Sequence, residues 1–223
     1  MRIWTVRNQK GGSGKTTLVL HTAVAAIERG LAVSVADLDT LRSAEKWAEL
    51  RQRKVRTPAP AIVHGSMYDL EGMIEGARQS GTDLVLVDTP AATNNTTLRA
   101  DSAAHMIIVP TKSSFLDVQA LDETLHALQD SAKLGRTVVV RTGSNGDKKM
   151  EAEIVRLARD VYDVPLLDTE LPHQSAFATT LSAGRGVTEK GGNKKAAAIV
   201  DELLDELLKH DRRIERARKR EAV

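Results

Sequence analysis

Ten consecutive residues near the start, Asn8-Gln9-Lys10-Gly11-Gly12-Ser13-Gly14-Lys15-Thr16-Thr17, constrain this chain more than any other part of it. A short apolar run, Arg2 to Val6, precedes them, and a segment whose apolar residues include Leu18, Val19, Ala23 and Ile27 follows, so strand, glycine loop and helix arrive in that order. Glycines let successive backbone N–H groups turn inward on an anion with no Cβ in the way, and the start of a helix adds partial positive charge at the same point. A polyphosphate is the guest that such a loop implies, held by the amides of Gly11, Gly12, Ser13, Gly14, Lys15, Thr16 and Thr17. Lys15 supplies a compact cation for the β- and γ-phosphates, and the Thr16 hydroxyl is a ligand for a Mg²⁺ that otherwise keeps several waters. The bland alternative is a glycine-rich turn joining a strand to a helix.

Short runs rich in Val, Ile and Leu recur along the chain: Arg2 to Val6, Leu31 to Ala36, Leu84 to Val87, Met106 to Val109 and Thr137 to Val140. Such near-continuous runs suit strands buried on both faces. Between and after them lie Thr16 to Arg29, Ser43 to Arg53, Met67 to Gln79, Val118 to Lys133 and Glu151 to Val161, each long enough for a crossover helix. The alternation predicts an α/β single-domain fold: a mostly parallel twisted sheet with helices on both faces. Pro58 and Pro60 interrupt the pattern, and that stretch is expected to be a surface loop. After Gly191-Gly192, the spacing of Ile199, Leu203 and Leu207 predicts a last helix docked on the sheet, its apolar stripe fading beyond Leu208. The expected division is a core of residues 1–208 and a basic helical tail of residues 209–223.

At 223 residues there is room for one sizeable core. The absence of cysteine excludes disulfides, thiolate metal sites and cysteine nucleophiles, and fits a reducing compartment. Aromatic residues at 3% leave few platforms for stacking bases, so any nucleic-acid contact would be electrostatic. No stretch approaches the ~20 apolar residues of a membrane span, so a soluble, cytoplasmic protein is expected. The six histidines are scattered without metal-ligand spacing.

The second strand runs into Val35-Ala36-Asp37-Leu38-Asp39, which puts acidic groups at a strand's carboxyl end, where open parallel sheets hold ligands. The same two residues could simply end a strand or cap the helix near Ser43. Leu84 to Val87 ends in Asp88-Thr89-Pro90, a carboxylate placed to hold Mg²⁺ through a water, or a strand end with no such duty. Arg141 and Thr142, with Leu171-Pro172-His173-Gln174, are candidates by position to flank a nucleobase.

Lys10-Gly11-Gly12-Ser13-Gly14-Lys15-Thr16-Thr17 resembles the deviant Walker A motif of the ParA/MinD group of ATPases, and the longer run from Asn8 is most similar to the ParA branch, which partitions plasmids and chromosomes. Position 9 is Gln where the ordinary pattern has Gly, and the early Lys10 stands in exchange. The resemblance implies an ATP- and Mg²⁺-dependent homodimer in which Lys10 crosses to the nucleotide of the other subunit and acts in catalysis with Lys15. Asp39 then orients the attacking water, and Thr16, Asp37 and Asp88 serve the metal. The chain has Thr40-Leu41 where the family continues Pro-Gln. Val109 to Asp117 resembles the family's strand and turn before an interface helix, and Trp47 stands where small relatives carry one. The implied activity is slow, partner-stimulated ATP hydrolysis that switches non-specific DNA binding. The implied adaptor is a ParB- or ParG-like centromere-binding protein, and the location the nucleoid.

Residues 209–223 hold seven basic and three acidic side chains. They are read as a solvated helix end or as a phosphate-binding surface, with Lys148, Lys149, Lys190, Lys194 and Lys195 as further contacts; a membrane-targeting helix would need more than Ile214 and Ala217 on its apolar face. The alternatives are a MinD-like or cargo-positioning ATPase, or a metabolic P-loop enzyme, which would have no evident use for Lys10.

Overall fold

The computed structural model describes residues 1–57, 59–143 and 146–221. Six strands, β1 (Arg2–Val6), β2 (Val33–Asp37), β3 (Ala61–His64), β4 (Leu84–Asp88), β5 (Met106–Thr111) and β6 (Thr137–Arg141), form one sheet in the order β3-β2-β4-β1-β5-β6. All five pairings are parallel. Central strands buried on both faces explain the unbroken Val, Ile and Leu runs; every residue of β4 and β5 is buried.

Helices α1 (Lys15–Glu28), α2 (Ser43–Lys54), α3 (Leu70–Gln79), α4 (Asn95–Ala103), α5 (Phe115–Asp130), α6 (Lys148–Val155), α7 (Ser175–Ser182) and α8 (Lys194–Glu221) complete the chain. α6 runs into a π-helical turn, Arg156–Val161. On one side of the sheet, Trp4, Val6 and Leu86 pack with α1 and with Val200, Leu203 and Leu207 of α8. On the other, Ile107, Val109 and Val139 pack with α5 and α6, while Ile3, Val85 and Val87 pack with α3. Two buried layers follow from the parallel topology, because each crossover must cover one face.

Three elements differ from expectation. The stretch expected as a surface loop contains β3, a four-residue edge strand in register with β2 from Ser34↔Ala61 to Asp37↔His64; Pro58 lies outside the described residues. α4 and α7 are additional helices. α4 opens on a reciprocal capping box, in which Asn94 Oδ1 accepts from the Thr97 N–H and Thr97 Oγ1 accepts from the Asn94 N–H.

α8 continues without a break past Leu208, and its next turns are tied to the sheet. Asp211, nearly buried, accepts from Trp4 Nε1 at 3.1 Å and pairs with Arg2 Nε at 3.1 Å, and Arg2 also pairs with Glu215. Ile214 packs at the edge of the core below the fading stripe. Residues 222 and 223, the end of the predicted tail, lie outside the described residues. Among the described residues no helix is long and apolar enough to cross a membrane.

Candidate functional site

The carboxyl ends of β1, β2, β4 and β6 converge on a cleft of about 400 Å³. Its floor is the loop between β1 and α1, with Gly11, Gly12, Gly14, Lys15, Thr16 and Thr17 on its wall. Glycine is required at two points: Gly12 has φ +73°, and Gly14 has φ +92° while its missing Cβ would lie 3.4 Å from Thr142 Oγ1. Thr142 Oγ1 donates to the Ser13 carbonyl at 2.7 Å, which pins the loop to the end of β6. α1 therefore begins at a left-handed glycine with its first amides directed to the cleft and without a side-chain cap, the arrangement that leaves room for an anion.

Lys15 is buried and folds back on its own loop, donating to the carbonyls of Asn8 at 3.3 Å and Lys10 at 3.2 Å. Burial lowers its pKa, an effect opposed by the charges of Asp88 and Asp39. Thr16 Oγ1 donates to Asp88 Oδ2 at 2.6 Å. Asp88 is fully buried, and its other oxygen, Oδ1, has no partner among the described residues. Burial pushes its pKa up to about 7. A buried carboxylate with an unpartnered oxygen beside a threonine hydroxyl is the donor set a hard, oxygen-seeking cation fits, and Mg²⁺ would be held here by Thr16 and Asp88.

Asp37 and Asp88 are register partners on neighbouring strands, yet they face different tasks. Asp37 Oδ1 accepts from the Asp39 N–H at 3.1 Å, and its Oδ2 accepts from the N–H groups of Ala44 at 3.0 Å and Glu45 at 3.1 Å. The carboxylate thus caps α2; burial raises its pKa and these amides counter that. Asp39 is half-buried on the wall of the cleft and accepts from the Leu41 N–H at 2.9 Å.

Lys10 stands at the rim, 31% exposed, with Nζ 2.6 Å from Asp117 Oδ1 and 3.4 Å from Ser114 Oγ at the start of α5. The opposite end of the cleft is walled by Thr142, Gly143, Leu171, Pro172, His173 and Gln174, so most of the residues named as flanking a base meet there. Arg141 is the exception: its guanidinium donates to the Asp168 carbonyl at 3.0 Å and does not line the cleft. Sequence reasoning missed Ala91, Phe177 and Ala178, which do, and placed Lys112 only in the strand and turn before an interface helix, whereas it too lines the cleft. α7 brings in Phe177 and Ala178, and at eight residues, with no side-chain cap at its start, it is too short to have announced itself in the sequence. Trp47 is buried beneath Arg51, whose guanidinium lies 5.2 Å from the ring centre and grips Glu189 through two bonds of 2.9 Å.

A parallel sheet with a glycine loop, a lysine and a threonine at one carboxyl end, and a buried aspartate on the next strand, defines a P-loop nucleotide-binding domain. Residues 4–187 match the CobQ/CobB/MinD/ParA nucleotide binding domain, and the chain belongs to that family. It is 30% identical to the maintenance of carboxysome distribution protein A of Gloeobacter kilaueensis over 90% of each chain. It is 23% identical to the chromosome-partitioning ATPase Soj of Thermus thermophilus, over 90% of this chain and 93% of that one. The fold is shared with the MinD cell division protein of Aquifex aeolicus at a TM-score of 0.72 and 18% identity, covering 93% and 97% of the two chains.

Proposed function

We propose that the chain is an ATP-dependent, dimerising partition ATPase whose hydrolytic cycle switches non-specific DNA binding. The observation that carries this reading is Lys10. A cation placed early in the loop, at the rim of the cleft and outside the phosphate cradle, is surplus to one nucleotide site and suited to reaching a second one. Leu41, Phe115 and Leu116 support it: three large apolar side chains, each more than 60% exposed, sit on the cleft wall or beside the Lys10 partners. A second copy of the chain would cover them.

Within the site, Lys15 and the amides from Gly11 to Thr17 bind and orient the phosphates, and Lys10 adds charge from the neighbouring subunit. Thr16 and Asp88 would hold Mg²⁺, with Asp37 supporting them through the α2 cap, and the ion when bound would supply positive charge to offset that of the phosphates. Asp39 accepts a hydrogen bond from, and so aims, the water at the open wall. The Phe177, Pro172 and His173 wall receives adenine. Turnover is slow until an adaptor of the ParB or ParG kind binds.

The exposed row Lys209, Arg212, Arg213, Arg216, Lys219 and Arg220 on α8 supports phosphate contacts without base readout, with Lys148, Lys149, Lys190, Lys194 and Lys195 as exposed auxiliaries. The location that goes with this reading is the nucleoid, in the cytoplasm, with no membrane in the cycle. The Gloeobacter relative favours a second reading: the same cycle carrying a protein cargo over DNA. Gel shifts on DNA of arbitrary sequence, with ADP, ATP and rising salt, test the core of both. Binding that requires ATP and weakens steeply with salt is expected; binding indifferent to nucleotide overturns it. The adaptor recovered with the ATP-bound protein separates a centromere-binding from a cargo-binding function.

A further inference from the structure

Arg7 is the residue between β1 and the phosphate loop, and its side chain, only 1% exposed, is buried between the carboxyl end of β1 and α4. A buried guanidinium is costly unless its donors are met. Its Nη1 pairs with the fully buried Asp101 of α4, and its Nη2 donates at 2.9 Å to Thr93 Oγ1, in the loop between β4 and α4. The pairing is incomplete in a telling way. Arg7 Nε and Asp101 Oδ1 are both buried without partners among the described residues. A two-pronged guanidinium–carboxylate pair would satisfy both atoms, yet the fork is split so that one arm reaches Thr93.

That arm lands on the loop that starts at Asp88. Ala91 of this loop lines the cleft, and a Cβ on Gly11 would lie 3.9 Å from the Ala91 Cβ, so loop and phosphate cradle touch. At its other end the loop runs into the Asn94–Thr97 cap of α4. Two further bonds fix what surrounds it: Thr89 Oγ1 donates to the Val6 carbonyl at 2.8 Å, and Thr5 Oγ1 to the Ala100 carbonyl at 3.0 Å. The Arg7 arm holds the stretch between them.

We propose that Arg7 is a positioning residue that sets the loop following Asp88 against the phosphate cradle through Thr93, with Asp101 as its anchor. The proposal rests on the ATPase reading above and adds to it a residue that touches neither nucleotide nor metal. Because Arg7 acts on the wall facing the cleft and not on the cradle, it governs turnover and leaves nucleotide affinity nearly unchanged.

Thr93 is exposed, so Thr93→Val removes the acceptor without opening the core, and Thr93→Ser restores it. Amide hydrogen exchange of residues 89–97 in nucleotide-free protein is measured beside kcat and KM for Mg-ATP and the thermal midpoint. The expected result for Thr93→Val is exchange faster by about tenfold in that loop, as for loss of one bond from a charged donor. A kcat several-fold lower should accompany it, with KM within about twofold and the midpoint lowered by only a few degrees, as for one lost bond. Thr93→Ser should match the wild type. Exchange and kcat equal to wild type in Thr93→Val overturn the positioning role and leave the ATPase reading standing. So does a raised KM with kcat intact, or a rise in exchange spread evenly over the chain and not centred on residues 89–97. A wild-type protein that neither binds nor hydrolyses ATP overturns the ATPase reading, and the positioning role falls with it.

Discussion

Lys10 and Asp117 form an ion pair within one copy of the chain, Nζ to Oδ1 at 2.6 Å, although they are separated by more than a hundred residues. Ser114, whose Oγ is 3.4 Å from the same ammonium, caps α5 and donates to the other oxygen of Asp117. The lysine that the proposed dimer needs on the far side of its interface is thereby occupied at home. Dimerisation and the intrachain pair compete for one cation.

Asp117→Asn removes the charge that holds Lys10 while keeping the shape of the α5 start. A pair whose lysine is 31% exposed and whose aspartate is buried contributes about 1 kcal/mol, so the concentration of a non-hydrolysable ATP analogue giving half-maximal dimer should fall by about fivefold. Light scattering of the eluting species measures it. A midpoint that stays put, or a variant that no longer dimerises, removes the competition from the account.

Lys15 and Asp39 line one cleft but are expected to separate cleanly by mutation. Lys15→Ala deletes the buried cation proposed to bind the phosphates, and ATP affinity should drop a hundredfold or more, on the order of 3 kcal/mol for charge-assisted bonds. Asp39→Ala touches only the open wall; the variant should bind ATP, dimerise and then persist in that state because hydrolysis stalls. Nucleotide titration and single-turnover hydrolysis distinguish the two. Rapid turnover by Asp39→Ala takes that residue out of its role.

Asp88 gives the nucleotide-free protein a pH dependence of definite sign. Its folded pKa of about 7 lies above the ordinary 3.8 because the carboxylate is buried, so the folded chain keeps a proton that the unfolded chain has lost. The resulting stabilisation is full below pH 3.8 and is lost as pH rises through 7, on the order of a few kcal/mol. Asp88→Asn is neutral at every pH. It should melt above the wild type at pH 8 by several degrees, with the gap narrower at pH 5 and closed only below pH 3.8, in thermal scans without nucleotide. Parallel melting at both pH values argues against a strained carboxylate there.

The phosphate loop was legible because its chemistry is local: glycines, lysine and threonine act within ten residues, and the strand and helix around them carry full apolar patterns. Asp88 was legible for the same reason. β3 was not, since Ala61–His64 is only four residues on an edge, alternately exposed and half-buried, too short to display a period. α4 hid because it buries Thr97, Ala100 and Asp101 while its one large apolar residue, Leu98, faces outward at 40% exposure, the reverse of the usual pattern. The Asn94-x-x-Thr97 box was the signal available. Arg7 defeats sequence reading altogether, because a charge ending an apolar strand looks like a surface residue until Asp101 is placed beside it in space.

Asp211 shows how far the basic end of α8 belongs to the folded body. Its carboxylate takes the Trp4 indole N–H and the Arg2 guanidinium, so one side of the helix end is clamped to β1 while Arg212, Arg213 and Arg216 remain exposed. Asp211→Ala leaves the buried Trp4 N–H without an acceptor, which costs about 1–3 kcal/mol, and chemical denaturation followed by tryptophan emission should record that loss. The clamp also bears on DNA binding. If the exposed arginines meet phosphates from a fixed helix, replacing Arg212, Arg213 and Arg216 together by alanine should lower affinity uniformly across sequences. The slope of log K against log salt should shrink by about 3, roughly one for each phosphate no longer neutralised. Nucleotide binding in the distant cleft should be untouched. A triple variant with unchanged affinity and slope would move the DNA contacts off α8.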